Sequence, residues 1–192
     1  ILKNKGIKSL PLLGWQVPII TDKNYEKAKI LKIDKKRIQN YFNGNDVIVL
    51  AGFQGINTDG NITSLGRGGS DTTAVAIASA VDAKRCDIYT DVEGVFTTDP
   101  NIEENAKKIS KLSYEEMLEM ASTGAKVLHT RSVELAMKNN LTLQVLSSLS
   151  KKTGTFIVGE KELIEKEIVS GVSYSKNEAK VTISGILDKP GI

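Results

Sequence analysis

Ser64-Leu65-Gly66-Arg67-Gly68-Gly69-Ser70-Asp71-Thr72-Thr73, with the apolar run Ala74 to Val81 behind it, is the stretch on which the fold turns. Three glycines in four positions free the backbone to take positive φ and to lie close against a ligand. Ala74, Val75, Ile77, Ala78 and Val81 recur at helical spacing, which predicts a core helix capped by Ser70 or Asp71. A glycine loop entering a helix offers unpaired N–H groups and the positive end of a macrodipole, and so suits an anion. Arg67 adds a forked cation that matches a carboxylate or phosphate, and Asp71 sets an acid beside it. A tight turn that merely starts a core helix is the plainer reading of any glycine-rich stretch. The Arg and Asp inside this turn favour a site.

Upstream, Asp46 to Gly52 is a continuous apolar run, the pattern of a parallel strand buried on both faces. Gly52-Phe53-Gln54-Gly55 reads as a loop at its carboxyl end, where open α/β sheets place ligands. Thr58-Asp59-Gly60-Asn61, between Ile56 and Ile62, predicts a hairpin that delivers the chain to the glycine loop. Downstream, Cys86 to Thr90 is a second buried strand. The alternation of strand, ligand loop, hairpin, helix and strand argues for a layered α/β domain.

Strands are also expected over Ile7 to Leu13 (a strand end or an edge, given Pro11), Ile30 to Ile33, Leu141 to Leu146 and Thr155 to Val158. Thr21 to Lys29 reads as loop. Asp34 should cap a helix through Asn43 with Ile38, Tyr41 and Phe42 inward, and Ser113-x-x-Glu116 is a capping box for a helix through Met120. Met117, Leu118 and Met120 read as core. Ser122 to His129 should open a further helix running to Asn139, with Lys126 near its start, where a cation is costly unless an anion is close. His129, the single histidine, is given no catalytic role, and the single Trp15 reads as packing. Asp91-Val92-Glu93-Gly94-Val95-Phe96-Thr97-Thr98-Asp99-Pro100 leaves a strand end carrying three acids, two hydroxyls and apolar groups that could clasp a flat ring.

The chain has 192 residues, 40% hydrophobic and 26% charged, as in an ordinary globular protein. A net charge of +3 with scattered basic residues gives no case for nucleic acid. No apolar run nears the ~20 residues of a membrane span. A single cysteine, Cys86, excludes a disulfide framework or thiolate cluster, so a reducing, cytoplasmic setting is expected. Composition shifts after residue 158, and the expected division is a catalytic portion over 1–159, a charged linker over 160–167 and a β-rich unit over 168–192. Both ends read as cut: the chain begins at Ile1 and stops within a turn at Pro190-Gly191.

Thr63 to Asp71, Tyr89 to Pro100, Gly124-Ala125-Lys126-Val127-Leu128-His129 and the strand end Val49 to Gly55 together resemble the aspartate kinases of the amino-acid kinase family. The segment from Val169 resembles the opening of an ACT regulatory domain, with a strand over Ala179 to Ile186. The resemblance implies an αβα sandwich followed by the first strands of an ACT-like α+β domain. It implies transfer of the γ-phosphoryl of ATP, with Mg2+, to the side-chain carboxylate of L-aspartate, giving 4-phospho-L-aspartate for lysine, methionine and threonine biosynthesis. Arg67, Gly68, Gly69 and Ser70 would hold aspartate, and Asp71 would organise the reacting groups beside Arg67. Thr90, Asp91, Val95, Phe96, Asp99, Lys126 and Val127 would line the ATP site, with no resident metal site. Lysine or threonine would be the allosteric ligand of a homo-oligomer, without nucleic acid or membrane.

The family's Lys-Phe-Gly-Gly-Thr-Ser stretch has no counterpart here, so this piece alone is expected to be inactive. Asn101 stands where Arg commonly follows Asp-Pro, Phe96 where Tyr is common, and Thr130 where Pro follows the His. Two other readings are a non-catalytic amino-acid-binding regulatory subunit and a different amino-acid kinase.

Overall fold

The structure is a computed structural model and describes residues 1–125, 127–163 and 169–174. In chain order the elements are β1 (Ser9–Leu12), β2 (Ile19–Thr21), β3 (Ile30–Ile33), α1 (Lys35–Tyr41), β4 (Val47–Leu50), β5 (Gln54–Asn57), β6 (Ile62–Ser64) and α2 (Gly69–Ala80). They continue as β7 (Cys86–Thr90), β8 (Lys111–Ser113), α3 (Tyr114–Thr123), α4 (Thr130–Lys138), β9 (Leu143–Ser147) and β10 (Thr155–Val158). Among the described residues no helix is long and apolar enough to cross a membrane.

The α/β class holds, but the sheets are mixed. β7, β9, β10 and β8 lie side by side in that order, parallel at β7–β9 and β10–β8 and antiparallel at β9–β10. A second sheet runs β3–β2–β5–β6, of which only β2–β5 is parallel, and β1 pairs with β4 alone, in parallel. The apolar run 46–52 is therefore not a strand buried on both faces. β4 has one described neighbour, and Val49 on it is 50% exposed. Pro11 sits in β1, whose single described neighbour leaves room for a residue without an N–H.

Helix α2 lies between two apolar clusters. Val75, with Ala74 and Ala78, joins the main core of Ile88, Leu112, Met117, Val133, Leu143, Val145 and Ile157. Ile77 and Val81 pack instead on Leu12, Val17 and Ile38. A helix apolar on two sides belongs in the middle of a fold. β9 is the most enclosed strand, with Leu143 and Val145 fully buried.

Local signals placed several elements. Asp34 caps α1 by accepting from the Arg37 N–H, and Ser113 and Glu116 form the reciprocal capping box of α3. The hairpin over 58–61 joins β5 to β6, with Gly60 at φ +84°. Further expectations fail. Phe42 is 48% exposed, because α1 ends at Tyr41 before the chain turns away. Gln54 and Gly55 belong to β5 rather than to a ligand loop, since Ala51 to Phe53, with Phe53 at φ +69°, complete the turn before them. Ser122 to His129 does not open a helix: α3 runs on to Thr123, Gly124 at φ +135° ends it, and α4 starts after His129. Of the β-rich unit expected over 168–192, the described residues 169–174 carry no strand. The strand expected over 179–186 and half of the linker, residues 164–167, lie outside the described residues.

Candidate functional site

The glycine loop leaves β6 after Ser64 and enters α2 at Gly69. Gly66 takes φ +75° and donates its N–H to Ser64 Oγ (3.1 Å), and Gly69 N–H closes back on Gly66 O (2.9 Å). Gly68, at φ +68°, caps α2, so Ser70 and Asp71 sit in the first helical turn rather than at the cap. Thr72 and Thr73 bond their hydroxyls back to the carbonyls of Gly68 and Gly69, fastening that turn. A Cβ on Gly68 would lie 2.4 Å from His129 Cγ, so the loop backbone rests directly on the imidazole. Glycine is required there twice over, by conformation and by space.

Arg67 and Ser70 are exposed. Among the described residues the Arg67 guanidinium enters no hydrogen bond or ion pair, which leaves its fork open to an anion. Asp71 is half-buried. Burial pushes its carboxyl above the ordinary value of 3.8, and the Ser70 hydroxyl (3.4 Å) and the charge of His129 only partly oppose this.

A cavity of about 970 Å³ opens beside β7, between the loop 90–102 and the turn after α3. Thr90, Asp91, Val95, Phe96, Asp99 and Val127 all line it; Lys126 lies outside the described residues. Val95 is 1% exposed and backs the cavity from the core. Its N–H donates to Thr155 Oγ1 (2.9 Å), and Gly94 passes so close that a Cβ would sit 2.6 Å from the same oxygen. Thr97 N–H donates to Lys107 O (2.8 Å) and Lys107 N–H to Thr97 Oγ1 (3.0 Å), pinning the loop's outer half. Asn101 is turned inward on Asp99: its N–H and its amide both donate to Asp99 Oδ1, at 2.9 and 3.0 Å. In this chain the residue after Asp-Pro closes a turn and presents no cation.

The cavity's acids are partly committed. Asp91 Oδ1 accepts from the Thr90 hydroxyl (2.9 Å), and Glu93 pairs with Lys152 (3.0 Å). No group of three His, Cys, Asp or Glu side chains among the described residues could hold a metal ion. One or two carboxylates beside a polyphosphate nonetheless fit Mg2+, which keeps water and ligand oxygens in its shell.

Two features had no signal in the sequence. Met120 lines the cavity as well as the core. Val172, Ser173 and Tyr174 form part of the wall, although they lie beyond the last described strand. Val172 N–H donates to Thr97 O (2.6 Å), Ser173 hydrogen-bonds Thr123, Ser170 hydrogen-bonds Glu116, and Gly171 packs on Thr97 O and Met120. The glycine loop is not part of this cavity. Val127 lines the cavity and His129, two residues on, carries Gly68, so one short stretch touches both places.

Residues 1–147 match the family model of the amino acid kinase family. An aspartate kinase of Stutzerimonas stutzeri is 50% identical over 192 residues, covering 100% of this chain and 47% of that protein. The structure superposes on Escherichia coli aspartokinase III in complex with aspartate and ADP (R-state) with a TM-score of 0.72 and 33% identity, over 82% of this chain and 36% of that one. The same enzyme in complex with lysine and aspartate (T-state) gives 0.70 at 33% identity, over 83% and 37% of the two chains. The chain thus spans about half the length of the curated relatives it matches.

Proposed function

The chain belongs to the amino acid kinase family, and on that premise we propose that it carries the nucleotide cleft and the acceptor loop of an aspartate kinase. The carrying observation is convergence. Residues of the loop 90–102, together with Gly124, Ala125 and Val127, line one cavity, and His129 meets the loop that presents the Arg67 guanidinium. The likeness to an enzyme solved with aspartate and ADP supports the same pair of ligands.

In this reading ATP occupies the cavity, its base against Val95, Phe96 and Val127 and its polar groups toward Thr90, Asp91 and Asp99. Arg67 grips a carboxylate of L-aspartate, and Gly68, Gly69 and Ser70 offer N–H groups and a hydroxyl at the start of α2. The acceptor carboxylate is already a nucleophile and needs no strong base, so the protein's task is in-line placement and neutralisation of phosphate charge. Asp71, held in a partly desolvated position, organises the acceptor. Lys126 supplies a cation to the phosphates, and Mg2+ would bind on the phosphates and add to the neutralisation. The product is 4-phospho-L-aspartate, which leads to lysine, methionine and threonine.

Residues 168–192 we assign to the opening of an ACT domain that binds lysine or threonine, in a cytoplasmic homo-oligomer. The lysine complex of the related enzyme supports an amino-acid effector. The test is calorimetric titration of the full-length protein with Mg-ATP, followed by an ADP-release assay. Release that requires L-aspartate, and is not elicited by L-glutamate or N-acetylglutamate, upholds the reading. ADP release indifferent to the amino acid refutes it.

A further inference from the structure

Helix α4 begins with a cation where its dipole disfavours one. Arg131 lies in the first turn, one residue after Thr130, and that turn contains no acid. Among the described residues Arg131 forms no ion pair; its guanidinium instead serves two backbone carbonyls. Nη1 donates to Leu65 O at 2.9 Å and Nη2 to Ala28 O at 2.7 Å. Leu65 and Ala28 are each 0% exposed, so both carbonyls need a protein donor.

The two carbonyls belong to segments already pressed together. Ala28 N–H donates to Ser64 O (2.8 Å), and a Cβ on Gly66 would lie 2.9 Å from Glu26 O. Ala28 comes from the crossing between β2 and β3, and Leu65 is the first residue of the glycine loop. The planar fork of one guanidinium spans both, with one nitrogen on each carbonyl. The same turn of α4 supplies His129, whose ring carries Gly68 and whose Nδ1 accepts the Arg131 N–H (3.4 Å).

We propose that Arg131 is a positioning residue for the acceptor loop, holding Leu65 against Ala28 so that Arg67, Ser70 and Asp71 keep one orientation toward the bound amino acid. This rests on the reading of that loop as the aspartate site. The loop 90–102 is pinned by Thr155 and Lys107 and does not depend on Arg131. The loss should therefore fall on the acceptor and spare the nucleotide.

The test uses full-length protein and the variants Arg131→Ala and Arg131→Lys. Replacement by Ala should raise the aspartate KM roughly tenfold or more, while the Kd for Mg-ATP stays within about twofold. Added methylguanidinium should recover part of the loss, and Lys, a cation without the planar fork, should fall between wild type and Ala. Amide hydrogen exchange over Leu65 to Ser70 should speed up in the Ala variant while that over β9 holds. Equal damage to aspartate and ATP, or an unchanged aspartate KM in a folded Arg131→Lys protein without faster exchange over 65–70, would overturn the proposal. Hydrogen exchange needs no substrate. If wild-type protein turns over no aspartate, the functional reading falls, and exchange over 65–70 still decides whether Arg131 holds the loop.

Discussion

Arg67 and Asp71 stand four residues apart at the mouth of α2, and the fold treats them oppositely. Arg67 is left exposed and makes no hydrogen bond or ion pair among the described residues, so under the proposed function its worth lies in the acceptor it meets. Arg67→Ala in the full-length protein should raise the aspartate KM about ten- to a hundredfold, the range of a lost charge-assisted hydrogen bond, with little change for ATP. Steady-state kinetics with each substrate varied in turn would check it. Asp71 is pushed toward its neutral form by burial. A carboxyl whose folded value is raised favours the fold while protonated, and that stability is lost as pH rises through the folded value. Asp71→Asn should therefore raise Tm at pH 7 and cut turnover at least about tenfold. The gain in Tm should fade as the pH falls, and vanish below the ordinary 3.8 at which the wild-type side chain is protonated in both states. Melting curves across that range would show it. An Asn variant no more stable than wild type at pH 7 would mean that Asp71 is better solvated than its surroundings indicate.

Among the elements, those defined by short-range chemistry were readable in advance: the Asp34 cap of α1, the Ser113–Glu116 box of α3 and the Asp59-Gly60 hairpin. Each is closed by atoms a few residues apart, and so each is written locally. The start of α4 was not readable. Ser122-Thr123-Gly124 resembles a helix opening, yet Gly124 in a positive-φ conformation ends α3, and His129 becomes the next cap. Strands β2 and β8, three residues each, carry too little pattern to be seen without their partners. The segment 169–174 belongs to the same class, since nothing in it announces that Val172 will bond a residue 75 positions away. Val172→Pro removes the N–H that donates to Thr97 O while keeping a small apolar side chain. It should weaken Mg-ATP binding about two- to tenfold and leave the aspartate KM near its original value, as read by calorimetry and kinetics. Unaltered ATP affinity would show that this segment touches the cleft without shaping it.

Across the whole molecule, Cys86 reports on integrity. It begins β7 within the main core at 7% exposure. Its thiol is pushed up to about 11, first by burial and then by the charges of Asp87 and Asp71. A buried thiol with almost no thiolate at pH 7 is inert, and it is the sole cysteine. Thiol reagents should label the native protein only through unfolding, and saturating Mg-ATP should slow labelling in proportion to the stability it adds. Rapid labelling without unfolding, followed by mass spectrometry, would show that the core opens locally at β7. The sequence by itself determined the α/β class, the glycine loop and the family, because these depend on periodicity, on local caps and on motifs whose members lie within a dozen residues of one another. Only the tertiary structure decided the mixed sheet directions, the seat of Gly68 on His129, the fork of Arg131 across Leu65 and Ala28, and the wall contributed by 172–174. Those contacts join residues dozens of positions apart. Their existence depends on which surfaces the packed core brings within hydrogen-bond reach, a condition that no local pattern encodes.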